Sequence, residues 1–121
     1  MSTPNWSGLA AAIAGLAYVH RVGVSEIVRH RRPLLERLQQ ELPRYGYEPL
    51  TPLESPGSIV SFAYRDAPTR LEAGLARAKV TLQLGENIVR IAPSVYNDME
   101  DIEAAIATLA ALGERTQVRT T

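Results

Sequence analysis

Val80-Thr81-Leu82-Gln83-Leu84-Gly85-Glu86-Asn87-Ile88-Val89-Arg90-Ile91 is the stretch that decides the fold. Val80 to Leu84 alternates apolar and polar residues, the pattern of a strand with one buried face. Gly85-Glu86-Asn87 is a tight-turn signal. Ile88-Val89-Arg90-Ile91 is the next strand, so the two segments pair as a hairpin.

Toward the C-terminus, Asn97 is read as the N-cap of a final helix, with Glu100 completing a variant of the capping box. Asp98, Glu100 and Asp101 place negative charge on the positive end of that helix. Met99, Ile102, Ile106 and Leu109 mark its apolar face, and Gly113 is its stop signal. Glu114 to Thr121 reads as a frayed tail.

Toward the N-terminus, Ile59 to Tyr64 is rich in β-formers and predicts a strand. Asp66 is placed to cap a short helix with Pro68 in its first turn and Leu71 and Leu75 one turn apart. From Pro43 to Gly57 the composition shifts to a loop with one short edge strand at Tyr47–Leu50. A helix is expected from Ser25 to about Leu42, with Ile27, Leu34, Leu35, Leu38 and Leu42 on one face and a kink or short break near Pro33. Gly23 closes an earlier helix, Ser7 to Arg21. That first helix is apolar on almost every side, as expected of a helix buried on more than one side. Leu9, Ile13 and Leu16 are expected to cover the sheet or the second helix. Ala10, Ala11, Ala14 and Ala17 are then left for a neighbour. Residues 1–6 read as an extended lead-in. The sum is an α+β domain of two layers, helices on one face of a small, mainly antiparallel sheet, over the single domain 1–121.

The chain has 121 residues, 45% hydrophobic and 21% charged, which suits one soluble globular domain. Thirteen basic and thirteen acidic side chains cancel, so no net field favours nucleic acid or an anionic membrane. The absence of cysteine excludes disulfides, thiolate chemistry and cysteine-ligated zinc, and fits a reducing cytoplasm. The apolar stretch Leu9 to Val19 is short for a membrane span and has no basic segment before it.

Groups that carry chemistry are few. His20 and His30 lie on separate helices with no carboxylate cluster beside them, so they read as surface or packing histidines and no metal site is expected. Arg29 to Arg32 reads as a solvated helix face. Helix capping accounts for Asp98, Glu100 and Asp101. Lys79, the single lysine, reads as the solvated end of a strand. Arg90 on its strand, followed by a short connection with Tyr96-Asn97, stays open between a surface strand residue and a carboxylate clamp that uses two parallel hydrogen bonds.

Two segments resemble the C-terminal part of class V aminotransferases, a group that includes cysteine desulfurases, selenocysteine lyases and isopenicillin-epimerase-like proteins. Thr3-Pro4-Asn5 looks like the family's Gly-Thr-Pro-Asn segment, which leads into a small-residue helix. Arg90, then Tyr96-Asn97, then Asp101-Ile102 looks like the family's Arg, Tyr-Asn and Asp-Ile order. Pro33-Leu34, Tyr45-Gly46-Tyr47 and Ser58 to Phe62 fall where similar residues occur, so the likeness covers about residues 3 to 112. The resemblance implies the small domain of a fold-type I enzyme, usually a homodimer, that uses pyridoxal 5′-phosphate on an amino-acid substrate. It implies that Arg90 binds the substrate α-carboxylate, and that Thr3 lies on a loop near the cofactor phosphate of a partner subunit. The family's cofactor lysine lies in a large domain, and Lys79 does not match it. Met1-Ser2 stands where the family has a glycine. No covalent cofactor is therefore expected on this chain by itself, and a missing large domain or a second copy is expected as partner. An amino-acid-sensing or purely structural α+β module is the rival expectation.

Overall fold

The computed structural model describes residues 3–118, with side chains described as far as Gly113. Helix α1 spans Trp6–Val22 and is capped by Asn5, whose Oδ1 accepts from the Gly8 amide at 2.8 Å. Gly23 follows with φ +89°, a left-handed value that favours glycine, and α2 spans Val24–Glu41. The two helices meet there at a 76° bend.

Leu34, Leu35 and Leu38 of α2 are buried, as is Leu42 in the 3-10 turn Leu42–Tyr45 that continues it; Ile27 is half-buried. Of the kink or short break expected near Pro33, a break does not occur: the helix runs through the proline. Helix α1 departs further from expectation. None of its residues is buried, and Leu9, Ile13 and Leu16 are 51%, 60% and 68% exposed. They do not cover the sheet or α2. The bend at Gly23 carries the helix away from the core.

Strands β1 (Glu48–Pro49), β2 (Val60–Ala63), β3 (Gln83–Gly85) and β4 (Ile88–Ile91) form one antiparallel sheet in the order β1-β2-β4-β3. Its register pairs Val60 with Ile91 and Phe62 with Val89, all buried, so one face carries the core. Ser61, Arg90 and Gln83 are aligned across the other face. The hairpin closes over Glu86-Asn87, as expected, since Gly85 pairs with Ile88. Helices α3 (Ala67–Arg77) and α4 (Met99–Val118) join α2 on the core face, where Leu71, Leu75, Ile102, Ile106 and Leu109 close the cluster.

Three terminal signals act differently from expectation. Asp66 heads α3 at φ +53°, but its side chain makes no cap; its amide donates to Asn87 Oδ1 at 3.1 Å. The capping pair of α4 is Asp98 and Asp101, not Asn97 and Glu100. The Asp101 amide donates to Asp98 Oδ1 at 3.0 Å, and the Asp98 amide donates to Asp101 Oδ2 at 3.2 Å. Gly113 does not stop α4, which continues to Val118; residues 119–121 of the expected frayed tail lie outside the described residues.

Candidate functional site: the groove beside Arg90

Helix α3 ends in a Schellman closure. The Lys79 amide donates to the Ala76 carbonyl and the Val80 amide to the Leu75 carbonyl, at 3.1 and 3.0 Å. This closure puts Lys79 at φ +57°, a position usually filled by glycine. It also occupies the start of the alternating segment, so β3 begins only at Gln83. Val80 and Leu82 nevertheless pack against the core, which is why the alternation reads correctly.

An open groove of about 700 Å³ lies between segment 78–83, the end of β4 and α4. Lys79, Gln83 and Arg90 line it, with Asn97 and Asp101 on the opposite wall. Arg90 is exposed, and its guanidinium has no hydrogen bond or ion pair among the described residues. A strand fixes its backbone, and Ser61 and Gln83 flank it on the same face. Asp101 forms no ion pair with it among the described residues; its Oδ2 accepts from the Asp98 amide at 3.2 Å and from Asn97 Nδ2 at 3.1 Å.

The connection after Arg90 is held by Asn97. Its Oδ1 accepts from the Ser94 amide at 2.9 Å, and its carbonyl accepts from His30 Nε2 at 2.7 Å. His30, read from sequence as a plain surface or packing residue, therefore ties α2 to this connection. Only its 67-residue separation from Asn97 hid the contact. His20 has no such bond among the described residues, and no group of three or more His, Asp or Glu side chains there is set to hold a metal ion.

Thr3 is exposed ahead of α1 and does not line the groove. The structure thus brings Arg90, Lys79 and Asn97 together and leaves Thr3 apart from them. No described helix is by itself long and apolar enough to cross a membrane.

The fold matches that of a solved structure of a NifS-like protein, with a TM-score of 0.75 over 98% of this chain and 35% of that one, at 20% identity. Two curated relatives match in sequence. One, from Bacillus subtilis (strain 168), is named "Uncharacterized aminotransferase YcbU"; it is 32% identical over 113 residues, covering 90% of this chain and 30% of that protein. The other, from Pyrococcus abyssi (strain GE5 / Orsay), is named "Probable cysteine desulfurase"; it is 26% identical, covering 91% and 31%. No family model matches. The chain is thus similar in sequence to proteins named as an aminotransferase and a cysteine desulfurase, and in fold to a NifS-like protein, in keeping with the expected resemblance to the class V aminotransferases. It spans about a third of the length of the relatives it matches.

Proposed function

We propose that residues 1–121 act as the small domain of a pyridoxal-phosphate enzyme working on amino acids, and that Arg90 holds the substrate α-carboxylate. The observation that carries this reading is the Arg90 guanidinium, without a partner among the described residues, on a strand at the rim of the groove. A planar guanidinium with no internal partner keeps both arms of its fork for a carboxylate. Because β4 fixes the Arg90 backbone, the substrate carboxylate becomes the anchor that orients the α-carbon. Transamination, desulfuration, epimerisation and lyase chemistry all begin from an α-amino acid held this way, so the reaction type is left open among them.

The described residues do not fit the cofactor by themselves. Lys79 lines a groove that contains no aromatic ring to stack on a pyridine, and the one carboxylate there, Asp101, is committed to capping. When bound in the complete enzyme, the cofactor serves as an electron sink. Its lysine and phosphate contacts are assigned to a separate large domain, for which the relatives' length leaves room. Thr3 is assigned to the cofactor phosphate of a partner subunit; its exposed place ahead of α1 leaves it accessible to a second chain. A homodimer in the cytoplasm goes with this reading. A structural interaction module without catalysis is the second reading, favoured by the exposed α1.

The test is Arg90→Lys in the protein carrying its large domain. The lysine keeps the charge and loses the fork. Loss of one charge-assisted hydrogen bond, worth roughly 1.5–3 kcal/mol, raises KM for the amino acid roughly 10- to 100-fold. Cofactor absorbance stays as in the parent. Unchanged substrate kinetics remove the assignment.

A further inference from the structure

The basic run Arg29-His30-Arg31-Arg32 resolves into three partnered residues and one without a partner among the described residues. Arg29 pairs with Glu26 at 3.0 Å, Arg32 pairs with Glu36 at 3.1 Å, and His30 reaches the Asn97 carbonyl. Arg31 has no ion pair among the described residues, and its Nε is buried without a hydrogen-bond partner. A buried charged donor left unsatisfied is costly, and such an atom marks the place where a partner is received.

Arg31 faces a pocket between α2 and the β1–β2 connection, about 50 Å³ in volume. The connection is fastened above it. Gln39 Nε2 donates to the carbonyls of Thr51 and Pro52 at 3.1 and 3.3 Å, and Thr51 Oγ1 accepts from the Ser61 amide at 2.9 Å. Ser55 and Ser58 hold hydroxyls at the pocket, and Val28, Leu35 and Leu53 make an apolar wall. Val28 and Leu53 are 49% and 67% exposed, so this wall continues outward as a rim. Glu36 also borders the pocket, but Arg32 holds its carboxylate.

We infer that Arg31, with Ser55 and Ser58, forms a site for a small organic oxyanion whose apolar body lies on Val28, Leu35 and Leu53. The half-open pocket has room for one carboxylate or phosphate group beside the Arg31 guanidinium, which offers a two-pronged contact once Nε is uncovered. The hydroxyls donate to the remaining oxygens. This site is separate from the Arg90 groove and shares no lining residue with it.

The experiment follows the arginine Nε–Hε resonances of the 121-residue chain by NMR during titration with benzoate, phenyl phosphate and inorganic phosphate. The Arg31 signal is expected to shift saturably with the aryl anions and more weakly with inorganic phosphate. Whichever aryl anion binds tighter tells carboxylate from phosphate. Arg31→Lys, which keeps the charge and removes Nε, should weaken binding roughly tenfold or more. Leu53→Ser, at an exposed loop position, should weaken the aryl anions and leave inorganic phosphate alone. Arg90→Lys, whatever it does to anion binding in its own groove, should leave the Arg31 response as in the parent. Absence of a saturable shift with every probe means that solvent alone serves Arg31, and overturns the site. Equal affinity in Arg31→Lys overturns it too, as does a response lost in Arg90→Lys instead.

Discussion

His30 Nε2 donates a 2.7 Å hydrogen bond to the main-chain carbonyl of Asn97, joining the middle of α2 to the connection that follows Arg90. The same Asn97 braces the Ser94 amide and the Asp101 carboxylate. Three elements therefore converge on one asparagine behind the strand arginine. Replacing His30 with alanine is expected to speed amide exchange at Ser94 and Asn97 and to lower global stability by about 0.5 kcal/mol, the low end for an exposed hydrogen bond. Exchange as slow as in the parent chain would show that His30 does not hold the connection.

Tyr47 supplies the pH dependence. Its ring is buried and stacks on Tyr64 with centroids 4.5 Å apart, and its hydroxyl donates to the Leu109 carbonyl at 2.7 Å. Burial above all, then the neighbouring Tyr64, holds its phenol well above the usual tyrosine range, with Arg70 working the other way. A folded-state pKa raised in this way gives stability that is complete below the unfolded value of about 10 and is lost as pH climbs beyond it. The urea midpoint should therefore fall above about pH 10. Tyr47→Phe should cost about 1 kcal/mol at neutral pH and flatten that alkaline fall. An alkaline limb identical in the two proteins would detach it from Tyr47.

The hairpin was legible because both faces of its alternation are real. Leu84 and Val89 turn inward, and Gln83 and Arg90 turn outward. Arg90 was legible for the same reason: a charged residue inside an apolar strand has to face out. The helix ends were less legible. Asp98 and Asn97 are both good caps, and only the reciprocal bonds with Asp101 decide between them. Arg31 looked like its neighbours because its difference lies in a loop twenty-odd residues away.

Gly113 misled for a reason that can be tested. It lies inside α4 because the backbone of Tyr45 passes over it: a Cβ there would come within 2.7 Å of the Tyr45 carbonyl oxygen and 3.4 Å of the Tyr47 ring. Gly→Ala inside a helix ordinarily gains up to about 1 kcal/mol. At Gly113 the sign should reverse, with a loss of about 1–3 kcal/mol from overpacking against main chain. Gly15, in α1 with open space around it, should show the ordinary gain as increased helicity by circular dichroism. A stabilised Gly113→Ala would mean that α4 shifts freely against the 3-10 turn.

Lys79 is the only lysine in the chain, and its left-handed backbone belongs to the closure of α3. Lys79→Gly should raise stability by about 1 kcal/mol by relieving that conformation. Mixing the chain with pyridoxal phosphate, reducing with borohydride and taking an intact mass should give no stoichiometric adduct on Lys79. An adduct there would mean that the groove accepts the cofactor without a large domain.

Helix α1 is exposed along its whole length, with Trp6, Leu9, Ile13 and Leu16 each at least half exposed. The sequence pattern assigns Leu9, Ile13 and Leu16 to the sheet or the second helix and leaves the alanines to a neighbour. With both sets exposed, the demand for a covering surface is larger than that pattern implies. Apolar area costs roughly 25 cal/mol per Å² in water, so a few hundred Å² amounts to several kcal/mol. Equal numbers of acidic and basic residues supply no net repulsion between copies. The chain by itself should therefore self-associate through α1, by helix pairing or by exchange of the helix about the Gly23 bend. Ala11→Glu with Ala14→Glu should shift light scattering toward the monomer. Because both positions are exposed, the melting of the rest of the domain should stay the same. If the proposed large domain packs on α1, the same two substitutions should weaken its association with this chain. A clean monomer for the parent chain at high concentration would show that an exposed apolar helix is tolerated here, and would remove α1 as the basis for expecting a partner.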